Sequence, residues 1–405
     1  MAPFSKVEEE LQRGAGISII SLVDSLIEYA YKAGASDIHV DPEEKRVRVR
    51  LRIDGILNDS FILPKEIQSE VITRVKVLSG LRTDEHQAAQ DGRFRLKFKN
   101  GGFVDIRVSL APTFYGEDCV MRLLSEKAEK FTLDSLGFAP KDIEKIERNM
   151  KKPYGMILAT GPTGSGKTTT LYTILKTLNT KDVSIITIED PIEYAIEGLE
   201  QIQVNARTGL TFANGLRSIL RQDPNIVMVG EIRDEETAAI AVNAALTGHL
   251  LLSTIHTNDA PTTLPRLIDM KVEPFLIAST VNVAIGQRLV RRICVECKFE
   301  KKVTINDLEG LMGIFPVETL YKSKKFYQGK GCENCSGSGY RGRVGIHEVM
   351  EIDDEMRAAI VRKADATEIK HLAEKNGMTS MIEDGFKKAI EGITTIEEVL
   401  RVIHE

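Results

Sequence analysis

The segment Gly161-Pro-Thr-Gly-Ser-Gly-Lys-Thr-Thr-Thr170 constrains this chain more than any other stretch, because its glycine spacing works only between a strand and a helix. A short apolar run, YGMILAT (154–160), precedes it, and the helix-forming TTTLYTILKTLN (168–179) follows. In that setting the loop residues Gly161, Pro162, Thr163, Gly164, Ser165 and Gly166 wrap a phosphate with backbone N–H groups, and the helix N-terminus adds its positive end. Lys167 is expected to reach the β- and γ-phosphates of ATP, and the hydroxyl of Thr168, with Thr169 beside it, to serve a Mg²⁺ ion.

The segments that follow repeat the strand-then-helix alternation. VSIITIED (183–190), NIVMVGE (225–231) and GHLLLSTIH (248–256) read as buried strands. Together they imply an α/β domain, a mostly parallel sheet with helices on both faces, whose ligands lie at the carboxyl ends of the strands. Candidate chemistry falls at those ends. Glu189, Asp190 and Glu193 close the first strand, where carboxylates beside a phosphate site can orient a water or a magnesium ion. Glu231 follows the second, with Gly230 in the place of the usual aspartate. His249 and His256 flank the third and are candidates for sensing the γ-phosphate.

Residues 1–124 read as a smaller α+β domain and residues 125–130 (SEKAEK) as a charged linker, with the ATPase domain filling 131–405. In the first domain, ISIISLVDSLIEYAYKAG (17–34) has helical apolar spacing and a glycine to end it. Arg46, Arg48, Arg50 and Arg52 alternate strictly with Val47, Val49, Leu51 and Ile53, which describes a strand with one buried face and one solvated arginine face. Further strands are expected at 92–98, 102–110 and 118–124, preceded by a helix, IQSEVITRVKVLSGL.

Of five cysteines, four form two C-x₂-C pairs, Cys294/Cys297 and Cys332/Cys335, the pattern of a closed, structural tetracysteine zinc site within a 290–345 subdomain. The segment between the pairs (LEGLMGIFPVETLYKSKKFYQ) is expected to loop out, and Cys119, set among apolar residues, to be a plain buried thiol. Residues 351–405 read as packed C-terminal helices without catalytic groups.

The order GPTGSGKTTT, IEDPIEY, LRQDPNIVMVGEIRD, TGHLLLSTIHTND resembles the Walker A, Asp box, Walker B and His box of the secretion ATPase superfamily, the motors of type IV pilus assembly, pilus retraction and type II secretion. ASDIHVDP, LRIDG, QDGRF and DIRVSL resemble the domain that precedes the motor in that family. The resemblance implies a RecA-like ATPase domain after a PAS-like one, and hydrolysis of ATP to drive pilus assembly or its type II secretion counterpart. It gives Glu193 the role of orienting the attacking water, Glu231 that of holding the magnesium-bound water network, and places His256 near the γ-phosphate. Arg107 and Arg122 match family arginines that reach the nucleotide. It further implies a homo-oligomer, a hexamer, working on an inner-membrane platform protein with a cytoplasmic recruitment protein. The tetracysteine module belongs to the assembly and secretion motors of that family and is generally lacking in the retraction motors.

Two other classes were weighed on composition. A nucleic-acid translocase is disfavoured by the net charge of −5, the 6% aromatic content without tryptophan and the lack of a dense Lys/Arg run. A nucleotide switch that does not hydrolyse has no need of the acids Glu193 and Glu231. No apolar run approaches the ~20 residues of a membrane span, and MAPFSKVEEE lacks the pattern of a secretory signal. The expected location is cytoplasmic, peripheral to the inner membrane through partners.

Overall fold

The structure, a computed structural model, describes residues 3–98, 102–124, 131–302 and 325–404. The expected linker at 125–130 and most of the looped-out segment between the cysteine pairs lie outside these residues. The chain divides into two compact units, Met1–Glu129 and Lys130–Glu405.

The first unit runs α1 (Pro3–Gln12), α2 (Ile19–Lys32), β1 (Ala35–Pro42), β2 (Arg46–Ile53), β3 (Ile56–Pro64), α3 (Gln68–Ser79), β4 (Gln90–Lys97), β5 (Phe103–Thr113) and β6 (Gly116–Leu124). Helix α2 starts where the Ser18 hydroxyl accepts the Ser21 N–H, and it ends just before Gly34, whose φ of +74° a side chain would resist. The six strands form an antiparallel sheet in the order β3-β2-β1-β6-β5-β4. Alternation along β2 sends Val47, Val49 and Leu51 into a core with Leu22, Leu26 and Ile27 of α2. The opposite face is ion-paired rather than merely solvated. Arg46 meets Glu43 at 2.6 Å, Arg50 pairs with Asp41, and Arg52 lies 3.5 Å from Asp37. Asp37 and Asp41 come from β1, a strand the sequence pattern did not announce, because half of its residues are the polar partners of this face.

The second unit opens with α4 (Leu133–Leu136) and α5 (Pro140–Met150), then β7 (Gly155–Thr160) and α6 (Lys167–Leu178). Next come β8 (Ile185–Glu189), β9 (Glu200–Gln203), α7 (Phe212–Ile219), β10 (Ile226–Val229), α8 (Glu235–Leu246) and β11 (Leu250–Ile255). They are followed by α9 (Thr263–Asp269), α10 (Pro274–Thr280), β12 (Val281–Ile293), β13 (Lys298–Lys302), β14 (Lys325–Gly329) and β15 (Tyr340–Glu351). Four helices close it: α11 (Asp354–Val361), α12 (Ala366–Lys375), α13 (Met381–Ile390) and α14 (Ile396–His404).

Seven strands form one sheet in the order β15-β12-β7-β11-β10-β8-β9, parallel throughout except for β15 against β12. β7, β10 and β11 are buried along their whole length, as strands covered on both faces must be. One face packs Met156, Ile186, Val227 and Leu251 against helices α7 to α10. The other packs Ile157, Ile185, Met228 and Leu252 against α5 and α6. The expected α/β architecture stands, enlarged by β12 and β15. Helix α13 seals those two strands, with Met381 and Phe386 against Val290, Val344 and Ile346.

β15 also carries Glu348, which is 4% exposed and accepts the N–H groups of Ala260 (2.6 Å) and Met381 (3.4 Å). Burial pushes its carboxyl up to about 7 from an ordinary 4.5. A group raised on folding contributes stability that is full below its unfolded pKa and is lost as the pH rises through the folded one. The swing is on the order of 3 kcal/mol. The thermal midpoint should therefore fall between pH 5 and 8, and Glu348→Gln should flatten that fall, as thermal denaturation at stepped pH will show.

Candidate nucleotide site and metal centre

Parallel pairing sets Thr160, Glu189, Val229 and Ile255 at one edge of the sheet, since β7, β8, β10 and β11 all run toward it. The glycine loop 161–166 leaves from that edge into α6. Gly161, Gly164 and Gly166 have φ of +141°, +80° and +90°, the left-handed region that glycine alone enters freely. A Cβ on Gly161 would lie 2.4 Å from the Gln287 carbonyl, so β12 directly backs the loop. The Gln287 side chain completes the support, donating to the Ser165 carbonyl (2.6 Å) and accepting from the Thr170 hydroxyl (2.8 Å). Sequence reasoning missed Gln287. It lies about 120 residues downstream of the loop, in a strand with no distinguishing pattern.

The Lys167 ammonium rests on the loop's own carbonyls, Gly161 (2.7 Å) and Pro162 (3.0 Å). Burial lowers it to about 8, against the pull of Glu231 and with the push of Arg288. Pro162, Thr163 and Gly164 are exposed and Thr168 and Thr169 half-buried, so the loop's outer surface is open to a ligand. Among the described residues, nothing lies within 4 Å of a Cβ placed on Gly164, and the buried Ser165 hydroxyl has no partner. This cradle fits a triphosphate with Mg²⁺, held by the loop N–H groups, Lys167 and Thr168.

The neighbouring acids differ in what they can do. Glu231 is buried, and one of its oxygens is shared by Arg233 Nε (2.5 Å) and His256 Nε2 (3.2 Å). His256 is exposed enough to meet a ligand, with 45% of its side chain accessible. Asp190 and Glu193 lie in the loop that follows β8, at the same edge. Thr160 and Thr257 bind each other there through Thr160 Oγ1 to the Thr257 carbonyl (3.0 Å) and Thr257 N–H to Thr160 Oγ1 (3.1 Å).

Two expected nucleotide contacts need correction. His249 precedes β11, so it sits at the opposite edge of the sheet, a strand length of about 20 Å from the loop. Its Nδ1 pairs with the Ala244 carbonyl at 2.9 Å, which closes the end of α8. Glu189 points toward α6 rather than into the cradle. Its oxygens take the hydroxyls of Tyr172 and Thr187 (2.6 Å) and the Gln201 amide (3.2 Å).

Arg107 and Arg122 belong to the first unit. They stand opposite each other on β5 and β6, within a cross-strand row that reads Arg52, Asp37, Arg122, Arg107, Arg93. Arg122 donates to Asp37 at 3.0 Å. Arg93, in the quoted QDGRF segment, was not singled out from sequence, although it shares the row.

The cysteine pairs converge as expected. The four Sγ atoms of Cys294, Cys297, Cys332 and Cys335 lie within 4.8 Å of one another. Cys294–Cys332, Cys297–Cys335 and Cys332–Cys335 are 3.8, 3.9 and 3.7 Å apart. A tetrahedral ZnS₄ centre with 2.3 Å bonds has edges of about 3.8 Å, so the four sulfurs fit zinc. Burial alone would raise the Cys335 thiol, but N–H groups of Cys332 and Gly339, each 3.2 Å from its sulfur, bring it down to about 6. Cys119, by contrast, is wholly buried, and burial pushes its thiol far up.

Residues 12–401 match the sequence profile of the family described as Type II/IV secretion system protein. The chain is 50% identical to the type IV pilus assembly ATPase PilB of Thermus thermophilus over 379 residues, 93% of this chain and 42% of that protein. It therefore spans less than half of that relative's length. It is 45% identical to type II secretion system protein E of Pseudomonas aeruginosa over 402 residues, 99% of this chain and 78% of that protein. Among solved structures, the pilus retraction motor PilT with bound ADP superposes with a TM-score of 0.63 at 26% identity, covering 94% of this chain and 96% of that one.

The purified chain should carry one zinc ion per subunit by elemental analysis. Cys294→Ser combined with Cys332→Ser should drop that content at least tenfold and lower the thermal midpoint, while ATP affinity stays within about twofold.

Proposed function

The chain belongs to the Type II/IV secretion system protein family, and from that premise we propose that it is an ATPase, a ring-forming motor for type IV pilus assembly. The observation that carries this reading is the gathering of Lys167, Glu193, Glu231 and His256 at one sheet edge, in a chain 50% identical to a pilus assembly ATPase. Type II secretion is the second reading, favoured by the 78% of the Pseudomonas relative's length that this chain spans.

In this reading Lys167 exchanges the carbonyls of Gly161 and Pro162 for the β- and γ-phosphate oxygens of ATP. Thr168 would hold Mg²⁺ with the nucleotide, and the ion would supply charge withdrawal from those oxygens. Glu193 orients the attacking water and accepts its proton. Glu231, held by Arg233 and His256, orders the water around the metal, and His256 turns to the γ-phosphate once the nucleotide is in place. One of the two arginines Arg107 and Arg122, from the same subunit or a neighbouring one, stabilises charge developing on the transferred phosphoryl, as an arginine finger does. Nucleotide then favours a closed arrangement of subunits, and hydrolysis releases it.

The subunits form a hexamer that acts on an inner-membrane platform protein and is recruited by a cytoplasmic partner. The protein works at the membrane through those partners. No helix among the described residues is long and apolar enough to cross one.

Mg-ATPase activity per subunit should rise with protein concentration and fall at least tenfold in Arg107→Ala or Arg122→Ala. Activity independent of concentration and of both arginines would sink the ring mechanism. Glu193→Gln should lose about 10²–10⁴-fold in kcat while still binding ATP, as removal of a general base does. Cells lacking the chain should lose surface pili, whereas intact pili with failed protein secretion would favour the second reading.

A further inference from the structure

The helix that grips the phosphates also carries a buried hydroxyl that the chemistry above does not use. Tyr172 lies five residues after Lys167 in α6 and is wholly buried. Its hydroxyl donates to Glu189 Oε2, accepts the Gln201 amide at 3.4 Å and meets the backbone of Glu193. The other Glu189 oxygen is taken by Thr187 (2.6 Å) and Gln201 (3.2 Å). A phenol carries one hydroxyl proton, and with that proton given to Glu189 the lone pairs of the oxygen are left to face the Gln201 amide and the Glu193 backbone.

Gln201, on β9, supplies the second tether. Its amide nitrogen reaches the Tyr194 carbonyl (3.2 Å) and its oxygen accepts the Ile196 N–H (2.7 Å). The Tyr194 ring meets Tyr172 edge-on, with centroids 4.8 Å apart and planes at 82°, and the Lys176 ammonium sits 4.9 Å from the same ring. Residues 193–196 are thus held from one side by α6 and from the other by β9.

We propose that Tyr172, oriented by Glu189 and seconded by Gln201, is the positioning residue for Glu193. The proposal rests on the reading in which Glu193 orients the attacking water. Lys167 and Thr168 occupy the first turn of the helix and Tyr172 its second, so one stiff element sets both the phosphate grip and the height of the acid. A misplacement of about 1 Å at such an acid costs on the order of 100-fold in rate. Glu189, the corrected acid of the Asp box, thereby gains its purpose: it positions the residue that positions the catalytic one.

Tyr172→Phe keeps the ring, its volume and its contact with Tyr194, and removes only the hydroxyl. Expected is a 10- to 100-fold loss in kcat, with KM for ATP within about twofold of wild type. In a Glu193→Gln background, whose residual turnover is followed over hours, Tyr172→Phe should cost less than twofold more, because the group it positions is already gone. Turnover of Tyr172→Phe within twofold of wild type overturns the proposal, as does the same loss in both backgrounds. Should Tyr172→Phe fail to fold or to bind ATP, Gln201→Met decides, since it cuts the second tether, including the 3.4 Å bond from Gln201 to the Tyr172 hydroxyl, and leaves every residue of α6 unchanged. A loss confined to kcat supports the proposal, and wild-type turnover overturns it. If Glu193→Gln itself turns over normally, the underlying role of Glu193 falls. An inactive Glu193→Gln with an unaffected Tyr172→Phe removes only the positioning claim.

Discussion

The parallel pairing of β7 with β11 is the constraint on which the rest of the second unit depends. It sets Thr160 beside Ile255, so the glycine loop and the His256 segment leave the sheet as neighbours, and the Thr160–Thr257 bonds hold them together. β10 and β8 extend the same register and bring Glu231 and the loop of Glu193 to that edge. Within these strands the chain is apolar and buried. Beyond their carboxyl ends it becomes polar, as an α/β sheet requires where a ligand is to sit. Gln287 contributes from the other flank by pinning the loop backbone to β12. The shape of the phosphate cradle is therefore set by the protein's own strand register and by the Gln287 bonds to the loop.

What could be read from sequence were features carried by contiguous residues. The glycine loop, the buried runs that became β7, β8, β10 and β11, the helical spacing of α2 and the C-x₂-C pairs each declare themselves within a few residues. What could not be read depended on direction or distance. Both histidines border β11, yet only His256 lies at the ligand edge. The direction of the strand from His249 to His256 carries that information, and closeness in sequence does not. Glu189 was grouped with its acidic neighbours, although alternation along β8 turns it, with Thr187, toward α6. β12 and β15 pair across the whole cysteine region, and β12 carries Gln287, Arg288, Arg291 and Arg292, which disguise a strand. Lys76 is the extreme case: a lysine fully buried in α3, 2.7 Å from Glu117, with no local cue that a partner waits more than forty residues away.

The first unit shows how one sheet can serve two purposes. Its covered face is a conventional apolar core. Its other face is a lattice of arginines and aspartates, and the row through Arg52, Asp37, Arg122, Arg107 and Arg93 has four cations to one anion. Such a stripe attracts anions, and fixed strand register spaces the Cα atoms of the row at intervals of about 4.5–5.5 Å.

The metal centre closes the ladder between β12 and β15. Their pairing runs from Val283–Glu351 to Ile293–Tyr340, and the Cys294 N–H bond to the Gly339 carbonyl is its last rung before the sulfurs. Just there two backbones cross so closely that a Cβ on Gly329 would lie 2.1 Å from the Gly339 carbonyl oxygen. Cys294, Cys297, Cys332 and Cys335, whose sulfurs fit one zinc ion, would tie off the neck of the excursion at its base when that ion is bound. Strand register behind the clasp is then insulated from the length and composition of the chain beyond it, because loop-closure entropy grows only logarithmically with length. The clasp makes this part of the chain a place open to evolutionary change, where segments can be exchanged while the seven-stranded sheet keeps its alignment.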